Sequence, residues 1–180
     1  QVICIGGAMA YTFLQIQKIA VGASFVEDRQ LASATDILDR AQIRGVKIVL
    51  PEDHIIADDF RPDAKSALCE RPEIKSGWQG LDIGPRTTQI FEDHVRDAKT
   101  VFWNGPLGVF EWDAFSKGTD SIAHAVAKCE GYTGVGGGDS AAAIEKAGVC
   151  DDIDHLSTGG GASLAFLENP ELVGLKALSS

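Results

Sequence analysis

Gly136-Gly137-Gly138-Asp139-Ser140 and, a little further on, Ser157-Thr158-Gly159-Gly160-Gly161-Ala162-Ser163 decide how this chain is read. Each places three glycines between a short apolar or β-branched run and an alanine-containing segment of helical character. Each is therefore a strand-to-helix turn with its side chains removed. Glycine accepts φ > 0 and lets a ligand come close to the main chain. The unpaired N–H groups and the positive end of the following helix favour an anion such as a phosphate. The first run also satisfies the looser dinucleotide spacing through Gly136, Gly138 and Ala141, a short pattern of little weight by itself.

Outward from these turns the same unit repeats. Val2 to Ile5 is a continuous apolar run that ends in Gly6-Gly7, and helical character follows from Ala8 to Leu14. Uniform apolarity, unlike alternation, predicts a strand buried on both faces of a parallel sheet. Leu31, Ala34, Leu38 and Ala41 recur at helical spacing until Gly45, a C-terminal stop. Val46 to Leu50 is the next strand, and His54 to Ala57 a further extended piece. Asp58 to Gln79 has little periodicity and is expected to be an irregular excursion. Ile90, Phe91, His94, Val95 and Ala98 stripe a helix that follows Pro85. Lys99 to Trp103 is a third buried strand ending in Asn104-Gly105-Pro106, and Ile122, Ala125, Val126 and Cys129 stripe the helix after it. Strands alternating with helices predict a doubly wound α/β parallel sheet in three αβα layers. In such sheets ligands bind at the carboxyl ends of the strands. The turns at Gly6-Gly7, Asn104 to Gly108, Gly136 to Gly138 and Gly159 to Gly161 are thus expected to face one crevice, a nucleotide site. No Gly-x4-Gly-Lys-Ser/Thr occurs, so it is not a P-loop.

Composition limits the partners. The chain has 180 residues, 44% of them hydrophobic and 23% charged, which suits one domain with a real core. A formal net charge of −10 without a Lys/Arg cluster disfavours nucleic acid and anionic membrane surfaces as partners. Backbone donors must then do much of any phosphate binding. Cys4, Cys69, Cys129 and Cys150 form no CxxC pair, which argues against zinc or a disulfide framework and fits a cytoplasmic protein. His54, His94, His124 and His155 have no metal-ligand spacing, and Trp78, Trp103 and Trp112 read as packing residues. Asp58-Asp59 and Asp151-Asp152 read as solvated loop acids. Gln1 runs directly into a core strand, so the sequence reads as cut from a longer one.

Trp103-Asn104-Gly105-Pro106-Leu107-Gly108-Val109-Phe110-Glu111, taken with the two glycine runs, resembles the phosphoglycerate kinases closely. Ile5-Gly6-Gly7-Ala8-Met9-Ala10-Tyr11-Thr12-Phe13 and Gly80-Leu81-Asp82-Ile83-Gly84-Pro85 stand in the same order as in that family. What is similar is its carboxyl-terminal, nucleotide-binding lobe, in incomplete form, over residues 1–180. The resemblance implies reversible phosphoryl transfer between ATP and 3-phosphoglycerate, with magnesium, in cytoplasmic glycolysis, by a protein that is a monomer when intact. Carried over by position, Asp139 resembles the magnesium-facing carboxylate, consistent with a hard cation that takes oxygen ligands. Ser140 resembles a phosphate ligand, although an N-cap role is an equal reading. Glu111 resembles the acid that holds the ribose diol. Gly6, Gly7, Gly80, Leu81, Gly108 and Val109 resemble the adenine walls, and Asn104, Gly137 and Gly138 lie by the phosphates. Gly159, Gly160 and Gly161 resemble the catalytic turn that meets the transferring phosphoryl.

The departures are equally specific. The family's amino-terminal lobe, which binds 3-phosphoglycerate, and the strand and phosphate-contacting lysine that come before Gln1 have no counterpart here. The 180 residues alone are therefore expected to bind Mg-nucleotide weakly and to catalyse nothing. Without the missing strand, the sheet is expected to keep a groove beside Val2 to Ile5. Gly134 weakens the strand Tyr132 to Val135, which is expected to be retained but loosened. Two alternatives stand beside the kinase: a stand-alone nucleotide-binding or interaction module, and a generic dinucleotide binder.

Overall fold

The computed structural model describes residues 1–169; residues 170–180 of the predicted domain lie outside the described residues. It contains β1 (Val2–Cys4), α1 (Gly7–Ile16), α2 (Leu31–Arg44), β2 (Lys47–Val49), β3 (His54–Ala57), β4 (Ser66–Cys69), β5 (Gln79–Ile83), α3 (Pro85–Arg96), β6 (Thr100–Asn104), α4 (Lys117–Ala127), β7 (Tyr132–Gly136), α5 (Gly138–Ala147), β8 (His155–Ser157) and α6 (Gly160–Glu168). The parallel strands lie in two ladders. β1 pairs with β2 from Val2↔Lys47 to Cys4↔Val49. β7 lies between β6 and β8, matched from Thr100↔Tyr132 to Asn104↔Gly136 on one side and from Gly134↔His155 to Gly136↔Ser157 on the other.

One core joins the two ladders. Val49 of β2, Trp103 of β6 and Val135 of β7 pack with Phe91, Ile122, Val126 and Ile144 from α3, α4 and α5. On the opposite face, Ile5 packs with Ala10, Phe13 and Ala34 of α1 and α2, while Ser163 of α6 lies against Gly136 of β7. Helices therefore cover both faces, as the sequence predicts for a Rossmann-like α/β three-layer fold. The helix ends have local causes. α2 stops at Gly45, which is left-handed at φ 65°, and Pro85 supplies the first residue of α3. The start of α3 is secured from a distance. Asp53, after β2, accepts hydrogen bonds from the Arg86 and Thr87 N–H groups at 2.9 and 2.7 Å and from the Thr87 hydroxyl at 2.6 Å.

Three expectations change. The 58–79 excursion contains β4, and with β3 and β5 it forms an antiparallel sheet in the order β4-β3-β5. Its backbone groups pair within a hairpin and a return strand, so regular structure forms without a helical or alternating pattern. Gly134 does not loosen β7. Hydrogen-bonded neighbours flank it on both sides, and Thr133 and Val135 are at most 1% exposed. The apolar runs of β1 and β6 are not buried on both faces: Val2 and Ile3 are 41% and 44% exposed, and Phe102 is 39% exposed. The reason is positional, since among the described residues β1 pairs only with β2 and β6 only with β7, leaving each an unpaired edge.

Candidate functional site

All four glycine turns lie at the carboxyl ends of parallel strands, and they touch. The Gly7 N–H donates to the Leu107 carbonyl at 3.2 Å, which joins the turn after β1 to the turn after β6. The Asn104 amide donates to the Gly136 carbonyl at 2.5 Å, and the Gly105 N–H to the buried Ser140 hydroxyl at 2.6 Å. The Trp103 indole donates to the Gly105 carbonyl at 2.7 Å and holds the same turn from below. The turn after β8 meets the turn after β7 so closely that a Cβ on Gly160 would sit 2.7 Å from the Gly137 Cα.

Asp139 and Ser140 lie in the first turn of α5, where the leading N–H groups have no helical acceptor. The Asp139 side chain is exposed and has no protein partner among the described residues. Ser140 is 1% exposed and accepts from Gly105, and no side chain caps α5. The N-cap role is not the one seen: Gly137 stands at the cap, and the Ser140 hydroxyl ties two turns together by accepting from Gly105. In the last turn, the Gly159 N–H goes to the Ser157 hydroxyl at 3.1 Å and the Gly160 N–H to the Thr158 carbonyl at 3.2 Å. Gly161 has nothing within 4 Å of where its Cβ would be.

The loop from Asn104 to Gly108 leads from these turns to a cleft of about 570 Å³. Gly7, Gly80, Leu81, Gly108 and Val109 line the cleft with Tyr11, and Phe25 and Phe60 stand at its mouth. Gly6 lies behind it, where its Cβ would run into the Leu107 side chain at 2.5 Å. Gly80 must lack a side chain, since a Cβ there would be 1.9 Å from the Tyr11 hydroxyl. Burial pushes that hydroxyl far above its ordinary pKa, so Tyr11 is a neutral wall. Glu111 is exposed and unpartnered among the described residues, three positions beyond Gly108. Its loop is anchored by Val109 N–H to the Leu81 carbonyl at 2.9 Å and by the Lys146 ammonium to the Phe110 carbonyl at 2.7 Å.

The sequence reading missed the residues that hold these parts together. Asp82 and Thr119 lie behind the cleft wall, and Lys146 spans from α5 to the Glu111 loop. One signal was legible: a carboxylate between Leu81 and Ile83, in a strand otherwise apolar at that point. His54 is fully buried, its Nε2–H donates to the Pro72 carbonyl at 3.3 Å, and burial lowers its pKa. Among the described residues no group of three or more His, Cys, Asp or Glu side chains could hold a metal ion unaided. No helix among them is long and apolar enough to cross a membrane.

A three-layer Rossmann-like domain with a glycine-lined rim at its strand ends and a cleft at one end of that rim defines the class of this protein. Within that class, the family model for phosphoglycerate kinase matches residues 1–170, and the chain belongs to that family. The phosphoglycerate kinase of Leptospira biflexa is 53% identical over 174 residues, covering 97% of this chain and 44% of the relative. That of Clostridium novyi is 49% identical over 175 residues, with the same coverage of each. The solved phosphoglycerate kinase of Coxiella burnetii superposes with a TM-score of 0.89 at 40% identity, covering 93% of this chain and 43% of that one. That of Pyrococcus horikoshii superposes with a TM-score of 0.84 at 31% identity, covering 99% and 45%. The chain thus spans less than half the length of the relatives it matches.

Proposed function

We propose that these residues are the carboxyl-terminal, nucleotide-binding lobe of a cytoplasmic glycolytic phosphoglycerate kinase. The whole protein, a monomer, would break the bond between the β–γ bridging oxygen and the γ-phosphorus of ATP and form one to a carboxylate oxygen of 3-phosphoglycerate. The products are ADP and 1,3-bisphosphoglycerate, and the reaction is reversible. The observation that carries this reading is the convergence of four glycine turns on one rim, with the cleft at one end and the α5 N-terminus with Asp139 at the other. A base fits the cleft between Leu81, Gly108 and Val109, and Glu111 is placed to accept from ribose hydroxyls. The phosphates then meet the open N–H groups of Gly138, Asp139 and Ser140, a cradle of backbone donors suited to an acidic protein.

The residues present fit magnesium. Asp139 offers an exposed carboxylate with no competing protein partner, and a hard cation needs few protein oxygens when nucleotide phosphates supply the others. Bound there, the ion would offset phosphate charge. Gly159 and Gly160 hold their turn through bonds within it, which leaves Gly161 and the following N–H groups at the start of α6 to face the transferring phosphoryl. No proton need be removed, because the acceptor carboxylate is already ionised at neutral pH. The 3-phosphoglycerate site belongs to the other lobe, so this chain alone binds Mg-ADP and turns nothing over.

Calorimetric titration with Mg-ADP, and a coupled assay with 3-phosphoglycerate, test this directly. Binding that Asp139→Asn weakens about tenfold, without turnover, is the expected result. Binding unchanged by that substitution removes Asp139 from the site, and the absence of binding refutes the nucleotide reading.

A further inference from the structure

Asp82 is 1% exposed, yet it lies in β5 directly between two apolar residues and directly after the cleft-lining Gly80 and Leu81. Its two oxygens accept hydrogen bonds from the Ile83 N–H at 2.9 Å and from the Gly118 N–H at 2.8 Å, the latter in the first turn of α4. Two glycines make room for it. A Cβ on Gly108 would lie 2.3 Å from the Asp82 Oδ1, and one on Gly118 would lie 2.5 Å from it. The next residue of α4, Thr119, accepts from the N–H groups of Leu107 and Gly108 at 3.0 and 3.2 Å. The first turn of α4 is therefore a hub that holds β5 through Asp82 and the 107–109 loop through Thr119.

We propose that Asp82 is a positioning residue for the nucleotide cleft: its carboxylate, bound to the start of α4, holds the Leu81 wall and the Gly108-Val109 wall at the separation a base requires. The proposal rests on the nucleotide reading of the cleft. Asp82 itself is on the far side of the wall and does not line the cleft.

The chemistry of this carboxyl makes the role readable. Burial raises its pKa to about 7, against the lowering effect of the Gly118 and Ile83 N–H groups. Titratable groups on the packed elements are Tyr11 on α1, His54 on β3, Cys69 on β4, and Lys117 and Asp120 exposed on α4. None forms an ion pair with Asp82 among the described residues. Only the ionised carboxylate accepts from both N–H groups without offering a donor of its own. A cleft that needs that form binds nucleotide more weakly as the pH falls through the pKa. A group titrating at 7 changes the competent fraction about tenfold between pH 8 and pH 6.

Asp82→Asn is the isostere of the protonated acid. Mg-ADP titrations of the unaltered chain and of this variant, each at pH 6 and pH 8, give a ratio of dissociation constants in which the nucleotide's own protonation cancels. The expected ratio is about ten at pH 8 and about two at pH 6. Equal ratios at the two pH values would reduce Asp82 to a packing role and overturn the proposal, while leaving the nucleotide reading intact. No binding by the unaltered chain at either pH would overturn both. Should Asp82→Asn fail to fold, the carboxyl carbon of Asp82 in the unaltered chain can be followed by NMR with and without Mg-ADP. Nucleotide is expected to lower its titration midpoint by a unit or more, and an unmoved midpoint refutes the proposal.

Discussion

Gly137 and Gly138 are adjacent, lie in the same turn after β7 and look interchangeable in sequence, yet alanine should act oppositely on the fold at the two positions. Gly137 has φ 106° and ψ 143°, a region close to one that only glycine occupies readily, and a Cβ there would lie 3.0 Å from the Asn104 amide nitrogen. That amide is the group that holds the turn after β7 to β6. Backbone strain of this type costs about 1–3 kcal/mol, and crowding of the amide adds to it. Gly138 is the first residue of α5, with nothing within 4 Å of where its Cβ would be. Alanine there reduces the entropy of the unfolded chain and should stabilise by about 0.4–1 kcal/mol. In a domain of this size each kcal/mol shifts Tm by roughly 2–4 °C. Gly137→Ala is thus expected to lower Tm by roughly 4–8 °C for a loss of about 2 kcal/mol, and Gly138→Ala to leave it unchanged or raise it slightly. Mg-ADP affinity should fall in both variants, in Gly138→Ala because the new methyl stands where phosphate must approach. Thermal scans with calorimetry on the same samples separate the two effects. Equal Tm losses at both positions, or unimpaired binding by Gly138→Ala, would refute the assignment of strain to one glycine and ligand approach to the other.

Other expectations follow from single contacts. Asp53→Ala leaves the Arg86 and Thr87 N–H groups without their carboxylate acceptor and the Thr87 hydroxyl with only the Asp53 carbonyl at 3.2 Å, and should cost about 2 kcal/mol by urea denaturation. Gly134→Ala should be tolerated or slightly stabilising, since its Cβ would rest 3.5 Å from the Phe102 ring in ordinary contact; a Tm loss beyond about 4 °C would contradict the packing. Glu111→Gln should weaken Mg-ADP several-fold without moving Tm, because Glu111 is exposed and makes no bond among the described residues. Stability should also depend on pH through Asp82. Its folded pKa of about 7 exceeds the ordinary carboxylate value of 3.8, so between those limits the native state keeps a proton that the unfolded chain releases. The stabilisation is complete below about pH 4 and is lost as the pH rises to about 7, with a slope of order 1 kcal/mol per pH unit that Asp82→Asn should flatten.

That slope bears on why the carboxylate is there. A buried charge that costs stability at neutral pH is poorly explained as a device for folding, and such groups gather at functional sites. The residues around it are economical in the same sense: Gly108 and Gly118 leave room for Asp82, and Gly80 leaves room for Tyr11.

The alternation of apolar runs, glycine turns and helical stripes was enough to determine the parallel α/β order, the helix boundaries at Gly45 and Pro85, and the glycines that form the rim. These are local matters, set by side-chain periodicity and by backbone freedom within a few residues. The motifs from Trp103 to Glu111 and the two glycine runs carried the family besides. Tertiary structure alone decided what depends on neighbours distant in the chain. Whether an apolar strand is buried depends on what pairs with its edge, so Val2, Ile3 and Phe102 are exposed although their runs read as core. Whether a strand glycine weakens its strand depends on its ladders, and β7 has one on each side. A side chain's work depends on what folding brings to it. Ser140 therefore serves Gly105 in place of a helix cap, and an aspartate in β5 reaches the first turn of α4.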